Sequence, residues 1–581
     1  MYTRPVSLPA LLLLFYLSGP AALAQPKHDN VWILGYDPNI EQDSLGGTII
    51  DFSEGVANAS FFEIPLDMNL TASISDSAGQ LLFYTNGCSI VNRNHELMLN
   101  GESINEGYFW DGYCGEGLYY PSTEGALVLP APGSDSLYYL FHYWINDDSI
   151  FYGAQLRYSL IDFRLDNGLG GVVEKNTVLL TGDLQDQIEA VRHANGRDWW
   201  VILPEYTSNR YFVFLLTPEG VSGPVTQTVE VGWTNFSYIG QALFSPDGSK
   251  YIRVNPLNGA HIFDFDRCTG LLSNQMVIHF PEDTLNINLA TGASVSPNGR
   301  FLYISLRVKV LQYDLTADNI AASRRQVAYY DGFQSPFATT FFQHCLAPDQ
   351  QIYITASNSV NRLHVIHRPN LPGPACDLEQ HGFRLNTLHA WHAPNFASYT
   401  LGPVDGSACD TLGVDNYPPL AAFEYLTDDL HAAFYHGARY NPDSWYWTFG
   451  DGAASTAIFP EHTYSAPGEY EVCLTVSNVS GSDTFCDTIS ITITGLDGPE
   501  ENPGVRLYPN PARESVVLEV EEKAAFRGTI VLYDAPGRQV LRQAVRSSRE
   551  RISISALPPG LYFYELRDGR RRVAGGKLVR L

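Results

Sequence analysis

The residues best suited to bind a ligand lie in four short segments, each of which precedes one copy of a repeated turn sequence. They are Gln187, Glu189, Tyr238, Asn288 and Phe337. Amide, carboxylate and aromatic side chains together suit a polar ligand such as a carbohydrate, because sugars offer both hydroxyl groups and an apolar ring face. The sequence therefore predicts a ligand site where these segments meet.

Signatures of catalysis are missing from the chain, so no residue is assigned a catalytic role. The sequence contains neither the Gly-x-Ser-x-Gly of a serine hydrolase nor the His-Glu-x-x-His of a zinc protease. It has no glycine-rich loop that would hold a phosphate, and no Cys-x-x-Cys pair of the kind that binds zinc. No metal site and no cofactor are expected, although the many acidic residues leave a divalent cation such as calcium open.

A turn sequence that recurs at a constant interval predicts the fold. Ser-Pro-Asp-Gly at 245–248 returns as Ser-Pro-Asn-Gly at 296–299 and as Ala-Pro-Asp-Gln at 347–350, an offset of 51 residues each time. Each copy is followed by an apolar run that contains tyrosine, which indicates a β-hairpin. A repeat of about 50 residues built from strands is typical of a β-propeller, in which one repeat forms one blade.

Weaker copies of the pattern at 193–202, 131–140 and 76–84 bring the number of predicted hairpins to six. Two more strand-like runs, at 31–34 and 48–52, lack an inner partner, and residues 395–399 are expected to supply it. Joining both ends of the propeller in one blade removes exposed sheet edges. About seven blades are therefore expected within residues 25–409, with six or eight as alternatives. The segment resembles secreted bacterial propellers of the YVTN and WD-repeat kind, a resemblance that implies blades and no particular ligand.

A second domain is expected over residues 420–494, after a loop-rich linker at 410–419. It contains Trp-Thr-Phe-Gly-Asp-Gly at 447–452, His-Thr-Tyr at 462–464 and Pro-Gly-Glu-Tyr at 467–470. These sequences resemble the PKD domain, an immunoglobulin-like β-sandwich, with Thr448 standing where the family often has Asp. Alternation along a strand predicts that Trp447 and Phe449 face the core. The resemblance implies a spacer or a contact module.

Residues 505–581 are expected to form a third domain, a small β-sandwich, after a flexible acidic linker at 495–504. Its landmarks are Tyr508, Pro509, Asn510, Pro511, Gly560, Tyr562 and Lys577. They resemble the type A C-terminal sorting domain of the type IX secretion system of the Bacteroidetes, although the chain ends in Arg-Leu and not in a closing Lys. The resemblance implies contact with the type IX secretion machinery, passage through the outer membrane, removal of this domain, and often attachment at the cell surface.

Charge and the amino terminus also indicate export. Residues 505–581 carry 15 basic and 8 acidic side chains, whereas the rest of the chain carries 21 basic and 55 acidic ones. An acidic body of this kind repels nucleic acid and anionic membranes. Residues 1–24 have the pattern of a secretory signal, with Arg4, an apolar run at 8–17 and Ala-Leu-Ala before Gln25. No later stretch is apolar enough for a transmembrane segment.

All eight cysteines follow the signal, an even number that favours disulfides in an oxidising compartment. Cys473 and Cys486 lie symmetrically about a predicted turn at 478–481, so they are expected to pair across one hairpin. The other expected pairs are Cys88 with Cys114 and Cys376 with Cys409, from proximity along the chain, and Cys268 with Cys345, which remain.

The expected fold class is all-β: a propeller, an immunoglobulin-like sandwich and a small C-terminal sandwich. The first functional hypothesis is an exported binding or adhesion protein, with the propeller recognising a glycan or a surface protein. The second is a polysaccharide-active lyase or hydrolase, which needs two carboxylates converging on the propeller channel, and the sequence does not place such a pair. The third is a structural component of the cell surface whose acidic body bridges divalent cations.

Overall fold

The computed structural model describes residues 26–36, 45–146, 153–234, 239–280, 291–492, 505–520, 527–534, 538–568 and 571–581. The signal predicted at 1–24, the linker predicted at 495–504 and two candidate ligand residues, Tyr238 and Asn288, lie outside these ranges. The chain divides into two compact units. The first contains Met1–Leu426, Ala433–Glu461 and Tyr470–Ile489, and the second contains Thr427–Ala432, His462–Glu469 and Ser490–Leu581.

In the described residues from 31 to 389, seven antiparallel sheets follow one another along the chain. The first two sheets have three strands each: β1 (Val31–Tyr36), β2 (Gly46–Asp51) and β3 (Asn58–Phe62), then β4 (Ala72–Ser75), β5 (Leu81–Thr85) and β6 (Ile90–Asn92). The third and fourth sheets contain β7 (Ala126–Pro130), β8 (Leu137–Ile145), β9 (Gly153–Asp162) and β10 (Gly171–Leu184), then β11 (Glu189–Arg192), β12 (Trp199–Pro204), β13 (Arg210–Thr217) and β14 (Gly220–Thr228).

Three more four-stranded sheets complete this series. They contain β15 (Gln241–Phe244), β16 (Lys250–Asn255), β17 (Gly259–Asp266) and β18 (Leu271–Ile278); β19 (Thr291–Val295), β20 (Phe301–Leu306), β21 (Lys309–Asp314) and β22 (Arg325–Tyr329); and β23 (Phe341–Leu346), β24 (Ile352–Ala356), β25 (Val360–Ile366) and β26 (Leu378–His389). The described helices are short: α1 (Tyr108–Gly112) and four 3-10 turns at Cys114–Glu116, Asp166–Gly168, Ala321–Ser323 and Gly373–Cys376. Strands that pair in chain order within successive sheets are the blades of a β-propeller, so the predicted fold is confirmed.

The repeated turn folds in the same way in its three strong copies. The Ser245 and Ser296 hydroxyl groups each accept a hydrogen bond from the backbone N–H five residues later, at 2.9 and 2.8 Å. The fourth turn position has a positive φ in all three copies, 71° at Gly248, 75° at Gly299 and 68° at Gln350. Glycine is favoured there because it adopts positive φ without a steric cost. Local turn chemistry therefore closes each hairpin.

The ring of sheets closes between its seventh and first members. The Thr387 N–H in β26 donates to Thr48 Oγ1 in β2 at 3.1 Å, and the two threonine hydroxyl groups are 2.9 Å apart. The edge of β1 is met by β4, because Ser73 Oγ and Thr71 Oγ1 donate to the carbonyl oxygens of Val31 and Ile33 at 2.9 and 2.8 Å. Side-chain hydroxyl groups thus take the place of an inner strand.

The inner strand expected at residues 395–399 is not formed, since the described residues 390–400 contain no strand. Asn395 Nδ2 instead donates to the carbonyl oxygen of Ile188 at 2.9 Å, and Tyr399 Oη donates to that of Val128 at 2.8 Å. The segment therefore lies against the third and fourth sheets, and its side chains, not its backbone, make these bonds.

The middle domain contains two sheets. One holds β27 (Phe423–Asp428), β28 (His431–His436) and β31 (Glu461–Thr463), and the other holds β29 (Ser444–Thr448), β30 (Ala454–Ser455), β32 (Gly468–Asn478) and β33 (Gly481–Ile491). Trp447 and Phe449 are buried as predicted, and Trp447 Nε1 donates to the carbonyl oxygen of Ala457 at 3.0 Å. Asp451 shapes the turn after β29, because its carboxylate accepts a hydrogen bond from the Ala453 N–H at 3.0 Å.

The C-terminal domain also contains two sheets. They hold β34 (Val505–Tyr508), β35 (Ser515–Val520) and β38 (Arg549–Ser553), and β36 (Gly528–Asp534), β37 (Gln539–Val545), β39 (Gly560–Asp568) and β40 (Arg571–Arg580). Asn510 joins the two ends of this domain: its Nδ2 donates to the Lys577 carbonyl at 2.7 Å and its Oδ1 accepts from the Val579 N–H at 2.9 Å. The Tyr-Pro-Asn-Pro sequence and the last strand therefore fold as one feature.

Three disulfides are present, and two of the predicted pairs are wrong. Cys88–Cys114 and Cys473–Cys486 form as expected. The third disulfide joins Cys268 to Cys409, while Cys376 and Cys345 are buried free thiols. Arg267 explains the pairing: its guanidinium group donates to the carbonyl oxygen of Gly402, which holds the segment after the last blade beside Cys268. Proximity along the chain does not reveal this contact.

We expect removal of the Cys268–Cys409 disulfide to cost more stability than removal of Cys473–Cys486. The two bridges close loops with sequence separations of 141 and 13 residues, and loop entropy predicts losses of roughly 5 and roughly 3 kcal/mol in the free energy of unfolding. Denaturant unfolding of the two double Cys→Ser variants measures this difference.

Alkylation of the unreduced wild-type protein should label two thiols, Cys345 and Cys376, and only after denaturation. Labelling of Cys268 would contradict the assigned disulfide between Cys268 and Cys409.

Candidate ligand-binding site

The described candidate residues from the sequence lie in different surroundings. Gln187 and Glu189, at the start of β11, are buried, whereas Phe337 is 57% exposed. Gln187 Oε1 accepts a hydrogen bond from Arg253 Nε at 2.9 Å, so this amide is engaged inside the propeller. The structure therefore gathers Gln187 and Glu189 but leaves Phe337 at the surface, and the ligand roles of all five residues stay predictions.

A cavity of about 720 Å³ lies within the first compact unit. Residues of the three repeated turns line it, including Pro246, Pro297 and Pro348. The cavity therefore opens where the inner strands end, whereas the ligand residues predicted from the sequence lie where these strands begin. It extends inward to Glu189 and Gln241, the first residues of β11 and β15. Its volume falls within the range of ordinary small-molecule sites.

Two buried carboxyl groups form the inner end of this cavity. The Ile188 N–H donates to the Glu124 carbonyl at 3.2 Å, which brings the starts of β7 and β11, and hence Glu124 and Glu189, side by side. Glu124 Oε2 accepts a hydrogen bond from the Ala242 N–H across the channel at 2.9 Å. Burial raises the pKa of both carboxyl groups well above the ordinary value, and the nearby Asp186 raises that of Glu124 further.

Glu124 was not among the candidate residues, although a sequence signal for it exists. A glutamate or glutamine stands at the start of several inner strands, as in Glu124-Gly-Ala, Glu189-Ala, Gln241-Ala and Gln343-His. A polar residue that recurs just before an apolar inner strand indicates a side chain at the propeller axis. The pairing of two glutamates there, however, depends on which blades are neighbours.

Arg253, a buried arginine of the propeller, bonds to neutral groups. Arg253 donates from Nε to Gln187 and from a terminal nitrogen to Tyr211 Oη, 3.3 Å away. Its guanidinium carbon lies 3.6 Å from the centre of the Trp233 ring, a cation–π geometry. Arg253 still lowers the pKa of Glu124 through space, but burial is the larger effect.

Two glutamine side chains cross the channel and fix its shape. Gln241 Oε1 accepts hydrogen bonds from the Ala293 and His344 N–H groups at 2.9 and 3.0 Å, and its Nε2 donates to the His344 carbonyl at 2.7 Å. Gln343 Oε1 accepts from the Ala393 N–H at 3.0 Å. The bonds of Gln241 hold the backbone of His344, one of the residues that line the cavity.

Four side chains that line the cavity carry buried nitrogen atoms without a hydrogen-bond partner among the described residues. They are both ring nitrogens of His344, Nδ1 of His436, Nε1 of Trp445 and Nδ2 of Asn298. Burial lowers the pKa of His344 to about 3 and that of His436 to about 4, so both imidazoles are neutral at physiological pH. A neutral imidazole offers one donor and one acceptor. Buried polar groups normally have partners, so this cluster indicates a place where a ligand or water binds.

Aromatic rings of the middle domain form one wall of the cavity. The His436 imidazole stacks on Phe459 with ring centres 5.0 Å apart and lies 5.7 Å from the Trp445 ring. The Arg300 guanidinium, paired with Asp314 at 2.9 Å, covers the other side of Phe459 at 4.7 Å. The wall therefore has apolar faces and, at Trp445 and His436, free ring nitrogens.

Comparison with known families identifies the second and third domains. Residues 419–493 match the PKD domain, and residues 506–579 match the secretion system C-terminal sorting domain. The protein is thus a propeller followed by a PKD domain and a sorting domain. The sorting domain indicates secretion across the outer membrane by the type IX system, to the cell surface or the extracellular space, and implies a bacterium of the Bacteroidetes.

Similar solved structures cover single domains of the chain. The PKD1 domain of the Vibrio cholerae metalloprotease PrtV is 35% identical, over 13% of this chain and 96% of that one, with a TM-score of 0.13. The PKD1 domain of Vibrio anguillarum Epp is 30% identical, over 14% and 99%, with a TM-score of 0.13. The Cps50 (Swd1) β-propeller domain of Myceliophteria thermophila is 12% identical, over 64% and 98%, with a TM-score of 0.28. Among curated proteins, none matches the chain.

Two further features are absent from the described residues. No group of three or more His, Cys, Asp and Glu side chains within the described ranges is arranged to hold a metal ion. In the same part of the chain, none of the helices combines the length and apolar character needed to cross a membrane.

We expect Glu189→Gln to stabilise the protein at neutral and higher pH. The folded protein holds the Glu189 proton to a higher pH than the unfolded chain, whose pKa is near 4.5, so the free energy of unfolding falls as the pH rises above that value. The neutral amide of the variant avoids this loss. We therefore expect the free energy of unfolding of Glu189→Gln to exceed that of the wild type by an amount on the order of 1–3 kcal/mol, which is the cost of burying a polar group without full hydrogen bonding. Denaturant unfolding at pH 5 and pH 8 measures the change. Glu230→Gln, at an exposed position, is the matched control, and an equal effect of both variants would contradict the assignment.

Proposed function

We propose that this protein is an exported binding protein that holds a carbohydrate in the cavity at the turn end of its propeller. The cluster of unpartnered nitrogens around the cavity carries the proposal. Export to the cell surface or beyond follows from the sorting domain, and it brings this cavity into contact with extracellular and surface glycans. Adhesion to such glycans is the role that this combination favours.

The chemistry of the cavity suits sugars. A sugar hydroxyl donates and accepts hydrogen bonds, and the neutral imidazoles of His344 and His436 offer both kinds of partner. The Trp445 and Asn298 nitrogens add two donors. An aromatic face such as that of Trp445 packs against the C–H face of a sugar ring, so in this proposal the PKD domain supplies part of the site and is more than a spacer.

We expect Trp445→Ala to weaken carbohydrate binding by the full-length secreted protein at least tenfold, which corresponds to about 1.4 kcal/mol. Trp445→Phe, which keeps a ring and removes the N–H donor, should cause a smaller loss. Isothermal titration calorimetry against a panel of soluble oligosaccharides measures both. The control is Phe337→Ala, an exposed position at a surface that the cavity does not reach. Loss of binding in Phe337→Ala alone would place the site at the loops favoured by the sequence instead.

Cleavage of polysaccharides is a second candidate, because Glu124 and Glu189 converge on the channel. Glycosidases use two carboxyl groups, one of which keeps its proton near neutral pH so that it can act as an acid. Burial raises the pKa of both carboxyl groups, which suits one of them to act as the acid, while the other has to ionise to take part. Direct bonding of Glu124 to the Ala242 N–H favours binding over catalysis, because it engages one of the oxygens that a reaction would use.

If the pair is catalytic, the protein will release soluble sugars from insoluble polysaccharides, and Glu189→Gln will abolish the release. Mass spectrometry of the supernatant detects such products. Binding of a polysaccharide without any product, in wild type and variant alike, would exclude cleavage of that polysaccharide and leave the binding function.

A further inference from the structure

The third position of the repeated turn holds a carboxylate in two of the strong copies, Asp247 and Asp349, and an amide in the other, Asn298. In each copy, Oδ1 of this side chain accepts a hydrogen bond from the backbone N–H two residues later, at 3.1 Å. In the Ser245 and Ser296 copies the serine hydroxyl donates to the same oxygen, at 2.5 and 2.6 Å. One oxygen therefore closes the turn, and the second polar atom of the side chain is not required for it.

Asn298 differs from the two aspartates at this second atom. Asp247 Oδ2 accepts a hydrogen bond from the Ser249 hydroxyl at 2.7 Å, and Asp349 Oδ2 accepts one from the Tyr353 hydroxyl at 2.9 Å. Because the turn engages the amide oxygen of Asn298, the other end of its amide is the nitrogen. This Nδ2 is a buried donor without a partner among the described residues, and Asn298 lines the cavity. The cavity thus contains a donor that the turn does not use.

The Asn298 turn lies beside the aromatic wall of the PKD domain. The Asn298 N–H donates to Asn370 Oδ1 at 3.1 Å. Asn370 Nδ2 in turn lies against Gly437, the residue after His436, since a Cβ on that glycine would be 3.5 Å from it. The His436 and Trp445 ring centres are 5.7 Å apart. The unpartnered nitrogens of Asn298, His436 and Trp445 therefore belong to one short stretch of the cavity wall.

His436 is an independent sign that a ligand binds here. It is 6% exposed, and its Nδ1 has no hydrogen-bond partner among the described residues. Burial lowers its pKa to about 4, so the imidazole is neutral and Nδ1 can be the acceptor of the ring. Trp445 Nε1 and Asn298 Nδ2 can only donate. The wall thus offers two donors and one acceptor on three residues.

An acetamido group matches this set. Its carbonyl oxygen accepts two hydrogen bonds and its N–H donates one, on separate atoms that can reach different residues. Its methyl group is apolar, and Ile458, which is 44% exposed, lines the same cavity. A carboxylate has no hydrogen to donate to an acceptor, and its buried charge would need a counter-charge. Arg300, the cation over Phe459, is already paired with Asp314 at 2.9 Å, so the neutral amide fits better than an anion.

We propose that the ligand is a glycan with N-acetylated amino sugars, and that the acetamido group of one sugar binds at the unpartnered nitrogens of Asn298, His436 and Trp445. This inference rests on the proposed carbohydrate-binding function and narrows it to one chemical class. The carbonyl oxygen accepts hydrogen bonds from Asn298 Nδ2 and Trp445 Nε1, and the amide N–H donates to His436 Nδ1. The propeller and the PKD domain each supply part of this one recognition site.

The test is calorimetric titration of the full-length secreted protein with N-acetylglucosamine oligomers and with glucose oligomers of the same length and linkage. The two sugars differ only in an acetamido group or a hydroxyl group on the second ring carbon. We expect the N-acetylated oligomer to bind about 30-fold more tightly, the effect of roughly two net hydrogen bonds.

Asn298→Asp is the decisive variant, because Asp closes the same turn in the other two copies. It replaces the donor by an acceptor, to which a hydroxyl group can donate but a carbonyl oxygen cannot bond. The preference for the N-acetylated oligomer should fall below about threefold, while the glucose oligomer binds as it does to the wild type. The matched control is Asp349→Asn, the reverse exchange at a residue that does not line the cavity, and it should keep the preference. Thermal unfolding of both variants checks that the turns are intact.

The outcomes separate this inference from the proposed function. Equal binding of the two oligomers by the wild type, or a preference that persists in Asn298→Asp, would overturn the acetamido proposal and leave carbohydrate binding standing. Tighter binding of a hexuronate oligomer that is lost in Arg439→Gln would also overturn it, because a carboxylate would then be the recognised group; Arg439 lines the same cavity. Binding of no saccharide in the panel would overturn both proposals.

Discussion

The propeller depends on hydrogen bonds that polar side chains make to backbone groups across its axis. The side chain of Gln241 bonds to the backbone of two other blades, at Ala293 and at His344. Glu124 reaches Ala242 in the same way. The inner strands have buried N–H groups that face the channel and have no neighbouring strand there. Each such group costs about 1–3 kcal/mol if it is left without a hydrogen-bond partner. The centre of the ring therefore needs polar side chains that are long enough to reach these N–H groups.

The same constraint creates the chemistry of the site. Side chains long enough to cross the channel are polar, and once they are buried they lie in surroundings that disfavour charge. Burial therefore raises the pKa of the Glu124 and Glu189 carboxyl groups well above the ordinary value and keeps the imidazole of His344 neutral. A protein tolerates such groups when apolar packing elsewhere outweighs their cost. Here the fully buried strands β12, β20 and β24 are part of that packing.

Export accounts for features of the chain that the propeller does not require. The disulfides suit an oxidising environment outside the cytoplasm, and the sorting domain carries the secretion signal in a compact sandwich of its own. Within that domain, Asn510 links the Tyr-Pro-Asn-Pro sequence to the last strand through the backbone of Lys577 and Val579. The two sequence landmarks that identify the domain thus depend on each other in space, although 67 residues separate Asn510 from Lys577.

The amino-acid sequence by itself determined the elements whose causes are local. The turns that end at Gly248 and Gly299, the core position of Trp447 and the hairpin disulfide Cys473–Cys486 all follow from residues close together in the chain. It also determined the order of the domains, because their motifs are specific. The tertiary structure alone decided that Cys268 pairs with Cys409, and that Glu124 meets Glu189 at the floor of a cavity at the turn end. These contacts join residues that are 141 and 65 positions apart, and such contacts depend on how whole blades pack, which no local pattern of side chains specifies.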